Sequence, residues 1–205
     1  VYASPAAVLL GGVLSDAASL EVDLPNYGVV RGVSIGNSSA WLGLPFAADP
    51  VGSLRFAPPV KRAPWRPAVL NASKYGPSCV ERRFQDPQID VMDERCLSLC
   101  IFTPADVAKG ELLPVMAYIH GGSYAGGAAN ESRLDGSFFV SSHRAVIVVL
   151  QYRLNVFGFL GGEMMRMLEP AGRSTGNAGL LDQRFALRWI KENIRHFGGD
   201  ASRVL

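Results

Sequence analysis

The amino-acid sequence predicts an α/β fold, in which a sheet of buried strands has helices packed on its faces. Short apolar runs, of which 145–150 is the clearest, have the length and the Val and Ile content of strands buried on both faces. A long helical pattern over 181–197 follows them, and a new apolar strand begins at 203–205. Strands that alternate with helices in this way are typical of a mostly parallel sheet.

The composition fits a globular domain and excludes two other classes of protein. The chain has 205 residues, of which 48% are hydrophobic, so it is not a disordered polar chain. Its formal net charge is +2, from 20 basic and 18 acidic side chains, so we expect no nucleic-acid partner. The length suits about one folded unit, which we place at 20–205.

The first 19 residues form a separate segment. Ala6 to Leu14 is an uncharged apolar stretch of nine residues, whereas a membrane-spanning helix needs about 20, so we expect no transmembrane segment. The small residues at 16–19 fit the cleavage zone of a secretory signal, but the basic residues that usually precede the apolar stretch are missing. Both a signal-peptide remnant and a plain leader are compatible with 1–19.

The next part of the chain carries turns and short strands. Residues 20–60 alternate short apolar runs with Gly and Pro, which predicts hairpins. Residues 32–36 match G-x-S-x-G, the pattern of the strand-to-helix turn that carries a catalytic serine. The flanking residues favour a turn between strands, so we reject a catalytic role for Ser34. A Pro-rich stretch at 57–95 leads to three predicted strands, at 97–102, 115–119 and 145–150.

The clearest helix precedes the last predicted strand. Its apolar residues recur at steps of one, three and four, which places them on one face of the helix. Gly198 and Gly199 are expected to end the helix. The residues of the apolar face are Leu181, Phe185, Ala186, Trp189, Ile190, Ile194 and Phe197.

A motif with two consecutive glycines follows the predicted strand at 115–119. Its sequence is His120-Gly121-Gly122-Ser123. Consecutive glycines let the backbone approach a ligand closely and present its N–H groups, as an oxyanion hole for acyl transfer requires. Taken alone, the motif also fits a glycine-rich loop without chemistry, and the residues by themselves favour that interpretation.

A series of segments, in order from about 27 to 205, carries a further signal. The segments are W-L-G-L-P-F-A (41–47), Y-G-P-S-C (75–79), D-E-R-C-L-S-L (93–99), L-P-V (113–115) leading to H-G-G (120–122), Y-R (152–153), F-G-F-L (157–160), G-N-A-G-L-L-D-Q-R (176–184) and F-G-G-D (197–200). Together they resemble the type B carboxylesterase/lipase family, which includes the cholinesterases. The resemblance implies the N-terminal part of an α/β-hydrolase fold, with a central, mostly parallel sheet, flanking helices and small N-terminal antiparallel strands.

This resemblance implies a carboxylic ester hydrolase that acts through a serine acyl-enzyme on a small-molecule or lipid ester, without a cofactor or a metal. It implies that Gly121, Gly122 and Ser123 form the oxyanion hole. The family's triad follows the segment at 197–200, so we expect a domain truncated at its C-terminus, with no triad residue before Leu205. None of the three histidines is then the catalytic base, and the chain alone is expected to be inactive.

The alternative that the same resemblance allows is a catalytically inactive, cholinesterase-like adhesion or binding protein. Such a protein would share the fold and the disulfide but would lack the nucleophilic serine. The sequence does not identify the ester or the oligomeric state.

The resemblance also implies structural pairs. Cys79 and Cys96 match the family's first disulfide, which leaves Cys100 as a free thiol on a strand of the core. Two Arg–carboxylate ion pairs are implied, Arg55 with Glu94 and Arg153 with Asp182.

Three N-x-S/T sequons suggest glycosylation and therefore secretion. They lie at Asn37, Asn71 and Asn130. Together with the expected disulfide they predict a secreted glycoprotein.

Overall fold

The computed structural model describes residues 20–81, 91–168 and 176–205. The expected leader at 1–19 lies outside these residues. The strands are β1 (Glu21–Leu24), β2 (Gly28–Arg31), β3 (Val33–Ile35), β4 (Ser38–Pro45), β5 (Leu70–Asn71), β6 (Ser98–Pro104), β7 (Leu113–Ile119), β8 (Val146–Leu150) and β9 (Gly199–Val204). The α-helices are α1 (Ser137–Ser142), α2 (Asn155–Phe159), α3 (Glu163–Leu168) and α4 (Ala178–Asn193).

The main sheet of the described ranges has the strand order β3-β4-β6-β8-β7-β9. β7 is parallel to both β8 and β9, because helices return the chain between these strands. The pairings β3–β4, β4–β6 and β6–β8 are antiparallel. The α/β-hydrolase class is confirmed, and the parallel part of the sheet within the described chain is β8-β7-β9.

The hairpin of β3 and β4 contains the G-x-S-x-G match. Ser34 lies on β3 opposite Ser39 of β4, and its side chain is exposed. A strand–turn–strand unit lacks the helix that a nucleophile elbow needs, so Ser34 is not a nucleophile at such an elbow. A second, small sheet has the order β1-β2-β5, with β1 and β2 before this hairpin in the chain and β5 after it.

Helix α4 covers one face of the main sheet. Ala186, Trp189 and Ile190 are buried in the same core cluster as Val115 of β7 and Val146 of β8. The predicted apolar face is therefore the buried face, because a stripe with helical period can lie against a flat sheet along its whole length. No helix in the described ranges is long and apolar enough to cross a bilayer.

The helix ends as the sequence predicted. A 3-10 turn, Ile194–Phe197, extends it, and Gly198 then takes a left-handed backbone conformation with φ 79°. The chain enters β9 directly, and Leu205 continues the pairing with β7 through a hydrogen bond from the Ala117 N–H to its carbonyl (2.8 Å). A strand is present where 203–205 predicted one, but β9 begins at Gly199, four residues earlier, because the residues at 199–202 lack the apolar run that marked the strand.

Candidate functional site

The expected oxyanion residues lie on a loop that begins where β7 leaves the sheet; we call residues 120–127 the glycine loop. Its first residue, His120, is only 3% exposed. The Tyr152 hydroxyl donates a hydrogen bond to the His120 carbonyl (3.0 Å), and the two rings stack with centroids 4.5 Å apart. Burial lowers the pKa of His120, so its imidazole is neutral at pH 7. These contacts tie the start of the loop to the residues that follow β8.

The middle of the glycine loop folds back on itself at very short range. A Cβ at Gly122, where φ is 120°, would lie 2.0 Å from the Gly126 carbonyl oxygen. A Cβ at Gly127, where φ is 96°, would lie 2.4 Å from the Gly121 carbonyl oxygen. Only glycine fits such positions. Ser123 also has a left-handed φ, of 56°, a strain of about 1–3 kcal/mol that surrounding contacts must hold.

The backbone N–H groups at the tip of the loop are available to a ligand. Gly121, Gly122 and Ser123 are all exposed. Within the described ranges none of their N–H groups donates a hydrogen bond, whereas the Gly122 carbonyl accepts bonds from Ala125 (3.0 Å) and Gly126 (3.1 Å). A fixed loop with free, adjacent donors can receive a negatively charged oxygen.

Asn155 holds the loop from the side, and sequence reasoning missed it. Its backbone N–H donates to the Tyr124 carbonyl (2.8 Å). Its side-chain amide donates to the carbonyls of Ala125 and Val80, each at 3.2 Å. The signal in the sequence is weak, because an Asn after a predicted strand suits many turns.

Two buried glutamates hold the return arm of the loop, and no sequence pattern pointed to them. Glu81 accepts a hydrogen bond from the Gly127 N–H (2.6 Å), and Glu131 accepts one from the Ala128 N–H (2.9 Å). Each is 8% exposed. Burial, with a further contribution from the nearby Glu131 charge, raises the pKa of Glu81.

The expected disulfide is confirmed. The Sγ atoms of Cys79 and Cys96 lie 1.99 Å apart. Cys100 is a free, buried thiol on β6, and burial raises its pKa to about 12. This places Cys100 in the core rather than at a reactive site.

Both Arg–carboxylate pairs are present, in different environments. The Arg153 side chain is 3% exposed and donates from Nε (2.8 Å) and Nη2 (2.7 Å) to the fully buried Asp182 carboxylate. The exposed pair is formed by Arg55 and Glu94, with bonds of 2.5 and 2.7 Å. The buried pair joins the segment after β8 to helix α4 and thereby supports the loops at this end of the sheet.

The three sequons differ in accessibility. Asn37 and Asn71 are exposed. Asn130 is partly buried, and its Oδ1 accepts a hydrogen bond from the Ser78 hydroxyl (2.8 Å). The geometry therefore favours glycan attachment at the first two positions over the third.

Comparison with known sequences identifies close resemblances over most of the chain. A family model described as "Carboxylesterase family" matches residues 18–205. Carboxylesterase 1E of Mus musculus is 44% identical over 184 residues, which are 81% of this chain and 30% of that protein. Acetylcholinesterase of Bungarus fasciatus is 39% identical over 191 residues, 86% of this chain and 30% of that protein. The chain thus spans about a third of the length of the curated relatives it matches.

Solved structures show the same relationship. A thermophilic pNB esterase superposes with a TM-score of 0.81 at 35% identity, over 91% of this chain and 38% of that chain. A carboxylesterase of Geobacillus stearothermophilus superposes with a TM-score of 0.79 at 36% identity, over 90% of this chain and 36% of that chain.

Proposed function

This chain belongs to the carboxylesterase family, and we propose that the full-length protein containing it hydrolyses carboxylic esters through a serine acyl-enzyme. The observation that carries the proposal is the glycine loop at the end of β7. Its tip presents the free N–H groups of Gly122 and Ser123, and buried contacts hold both of its arms.

In this mechanism the loop binds the carbonyl oxygen of the ester. Attack on the carbonyl carbon turns that oxygen into an oxyanion, and the N–H groups of Gly122 and Ser123 donate to it. Each such donor contributes about 2.7–4 kcal/mol to transition-state stabilisation. Because these N–H groups have no bond within the described chain, they require no reorganisation when the charge develops. Gly121 supplies the room for the substrate to approach.

The nucleophile and its base are expected beyond Leu205, as the family resemblance implies. The serine Oγ attacks the carbonyl carbon while a histidine, oriented by an acidic residue, accepts the serine proton. The histidine then protonates the leaving alcohol, and water hydrolyses the acyl-enzyme. The substrate is a small-molecule or lipid ester, and the mechanism uses no cofactor. The chain described here thus supplies the oxyanion-binding part of the site and is inactive by itself.

The proposal places the protein in the secretory pathway. The Cys79–Cys96 disulfide persists in an oxidising compartment, and Asn37 and Asn71 are exposed sequons. In this proposal 1–19 is a leader or the remnant of a signal peptide, and 20–205 belongs to one folded unit.

The test uses the full-length protein with p-nitrophenyl acetate as substrate and an organophosphate as inhibitor. We expect turnover, loss of activity on inhibition, and a mass increase of one phosphoryl adduct per chain. A folded protein that neither hydrolyses the ester nor takes up the adduct would contradict the proposal and favour the inactive adhesion or binding alternative. Ester turnover by the isolated 205-residue chain would contradict the assignment of the triad to later residues.

A further inference from the structure

Glu81 connects the disulfide region to the glycine loop. It lies two residues after Cys79, and the preceding Ser78 exchanges backbone hydrogen bonds with Val91 and Asp93, each at 3.0 Å. The disulfide and these bonds give the start of this segment a fixed position. From there the Glu81 carboxylate reaches the Gly127 N–H, 46 residues later in the chain, at 2.6 Å.

Gly127 in turn supports the tip of the loop. Its Cα is so close to the other arm that a Cβ would lie 2.4 Å from the Gly121 carbonyl oxygen and 2.6 Å from Nδ1 of His120. The neighbouring Gly126 is close to Gly122 as well, since a Cβ at Gly122 would lie 2.0 Å from the Gly126 carbonyl oxygen. A displacement of Gly127 therefore displaces the backbone that carries the N–H groups of Gly122 and Ser123.

Burial of the carboxylate at position 81 is energetically unfavourable if the side chain only fills space. Glu81 is 8% exposed, and no Lys or Arg of the described ranges forms an ion pair with it. Burial of a charge without a cation is unfavourable, whereas a neutral amide would accept the same hydrogen bond at lower cost. The advantage of the carboxylate is a stronger bond, because charge-assisted hydrogen bonds are roughly twice as strong as neutral ones.

We propose that Glu81 is a positioning residue of the oxyanion hole: its ionised carboxylate holds Gly127 and thereby keeps the donors of the glycine loop in place. This inference rests on the proposed ester hydrolysis. Glu81 does not touch the substrate and acts only through the loop backbone. When Glu81 is protonated, the bond to Gly127 weakens and the donors are held less firmly.

Other charged groups around Glu81 set the pH range of this effect. Glu131 lies close enough for its charge to raise the pKa of Glu81, and Arg133 pairs with Glu131 at 2.5 Å. His120 also lies next to Gly127, since a Cβ there would be 2.6 Å from its Nδ1, and burial lowers the pKa of this histidine. Because burial raises the pKa of Glu81 above its ordinary value, the ionised form and its advantage are lost at a higher pH than for a free glutamate, as the pH falls through that raised value.

The experiment compares Glu81→Gln and Glu81→Ala with the full-length wild-type protein, using p-nitrophenyl acetate across the pH range. For Glu81→Ala we expect kcat to fall about tenfold or more, with KM changed by less than about twofold, because the donors are misplaced while substrate contacts remain. Glu81→Gln keeps an acceptor oxygen and should lose only about threefold at pH 8. The control is Glu111→Gln, which alters a partly exposed carboxylate before β7 that pairs with Arg144, and the kcat of this variant should be unchanged.

The pH profile separates positioning from a merely structural role. The ratio of wild-type kcat to Glu81→Gln kcat should be constant near pH 8 and fall towards one on acidification, since a protonated Glu and a Gln are both neutral acceptors. The histidine base of the triad titrates in both proteins and cancels in this ratio. A pH-independent ratio, or a Glu81→Ala variant with wild-type kcat, would overturn the proposal.

Hydrogen exchange at the backbone amides of 121–128 provides a second measurement that does not depend on activity. We expect faster exchange in Glu81→Ala than in wild type and an intermediate rate in Glu81→Gln. If the wild-type protein hydrolyses no ester, the proposed function fails and this exchange alone decides whether Glu81 holds the loop. Unchanged exchange in both variants would refute the positioning role, whatever the activity.

Discussion

The buried pair of Arg153 and Asp182 gives the sharpest test of what holds this part of the molecule together. In Asp182→Ala, three hydrogen bonds to the carboxylate are lost, from the Arg153 backbone N–H (3.1 Å), Nε (2.8 Å) and Nη2 (2.7 Å). The Arg153 side chain is 3% exposed. Within the described ranges, its guanidinium then donates only to the Ala57 carbonyl (2.8 Å). Removal of one partner of a buried ion pair costs about 3–5 kcal/mol. We expect a loss of that size in the free energy of unfolding.

The assay is urea denaturation of the full-length protein, followed by tryptophan fluorescence. The matched control is Glu94→Ala, which removes the carboxylate of the exposed pair with Arg55 and should shift the unfolding midpoint only slightly. The double variant Arg153→Met/Asp182→Leu leaves no buried charge at these two positions and should recover most of the stability that Asp182→Ala loses. Equal effects of Asp182→Ala and Glu94→Ala would refute the reasoning, because burial would then make no difference.

Three further predictions concern the glycine loop and its supports. Gly122→Ala should lower kcat about 100-fold with little change in KM, because the Cβ of the new alanine would lie 2.0 Å from the Gly126 carbonyl oxygen. A variant with wild-type kcat would show that the loop accommodates the methyl group without loss of the donors. Replacing Cys79 and Cys96 by Ser should destabilise the protein by about 3 kcal/mol in urea denaturation, since it frees a loop with a sequence separation of 17; an unchanged midpoint would contradict this. The free energy of unfolding should fall as the pH drops below 6.5, the ordinary pKa of histidine. Burial lowers the pKa of His120 in the folded protein, so the unfolded chain binds the proton at a higher pH than the folded one. In His120→Gln this part of the pH dependence should disappear, and an identical pH slope in the variant would assign it to other groups.

The sequence predicted the local elements well, because each of them depends on neighbouring residues. The apolar face that includes Trp189 and Ile190 is the buried face of α4, and the helix region ends at Gly198. The apolar run at 145–150 contains β8. Periodicity, apolar content and glycine conformation are properties of a few consecutive residues, so they can be recognised without the fold.

The candidate site was only partly predictable. The motif at 120–123 indicated backbone donors, and the resemblance to a family turned that indication into an expectation about chemistry. The supports of the loop were not predicted, since Glu81 and Asn155 carry no pattern of their own. Each reaches the loop from a distant part of the chain, 46 residues away for Glu81 and Gly127, and 30 for Asn155 and Ala125.

By itself the sequence determined that this protein has buried strands, an amphipathic helix and a glycine-containing turn after a strand, together with an ordered series of family segments. Only the tertiary structure decided that the sheet is parallel at β8-β7-β9 and antiparallel elsewhere, and that a buried carboxylate supports the glycine loop. The physical reason is that patterning selects which face of an element is buried, whereas hydrogen bonds between distant residues depend on how all the elements pack. The hydrogen bond from the Gly127 N–H to Glu81 is such a contact, and local sequence analysis has no means to single it out.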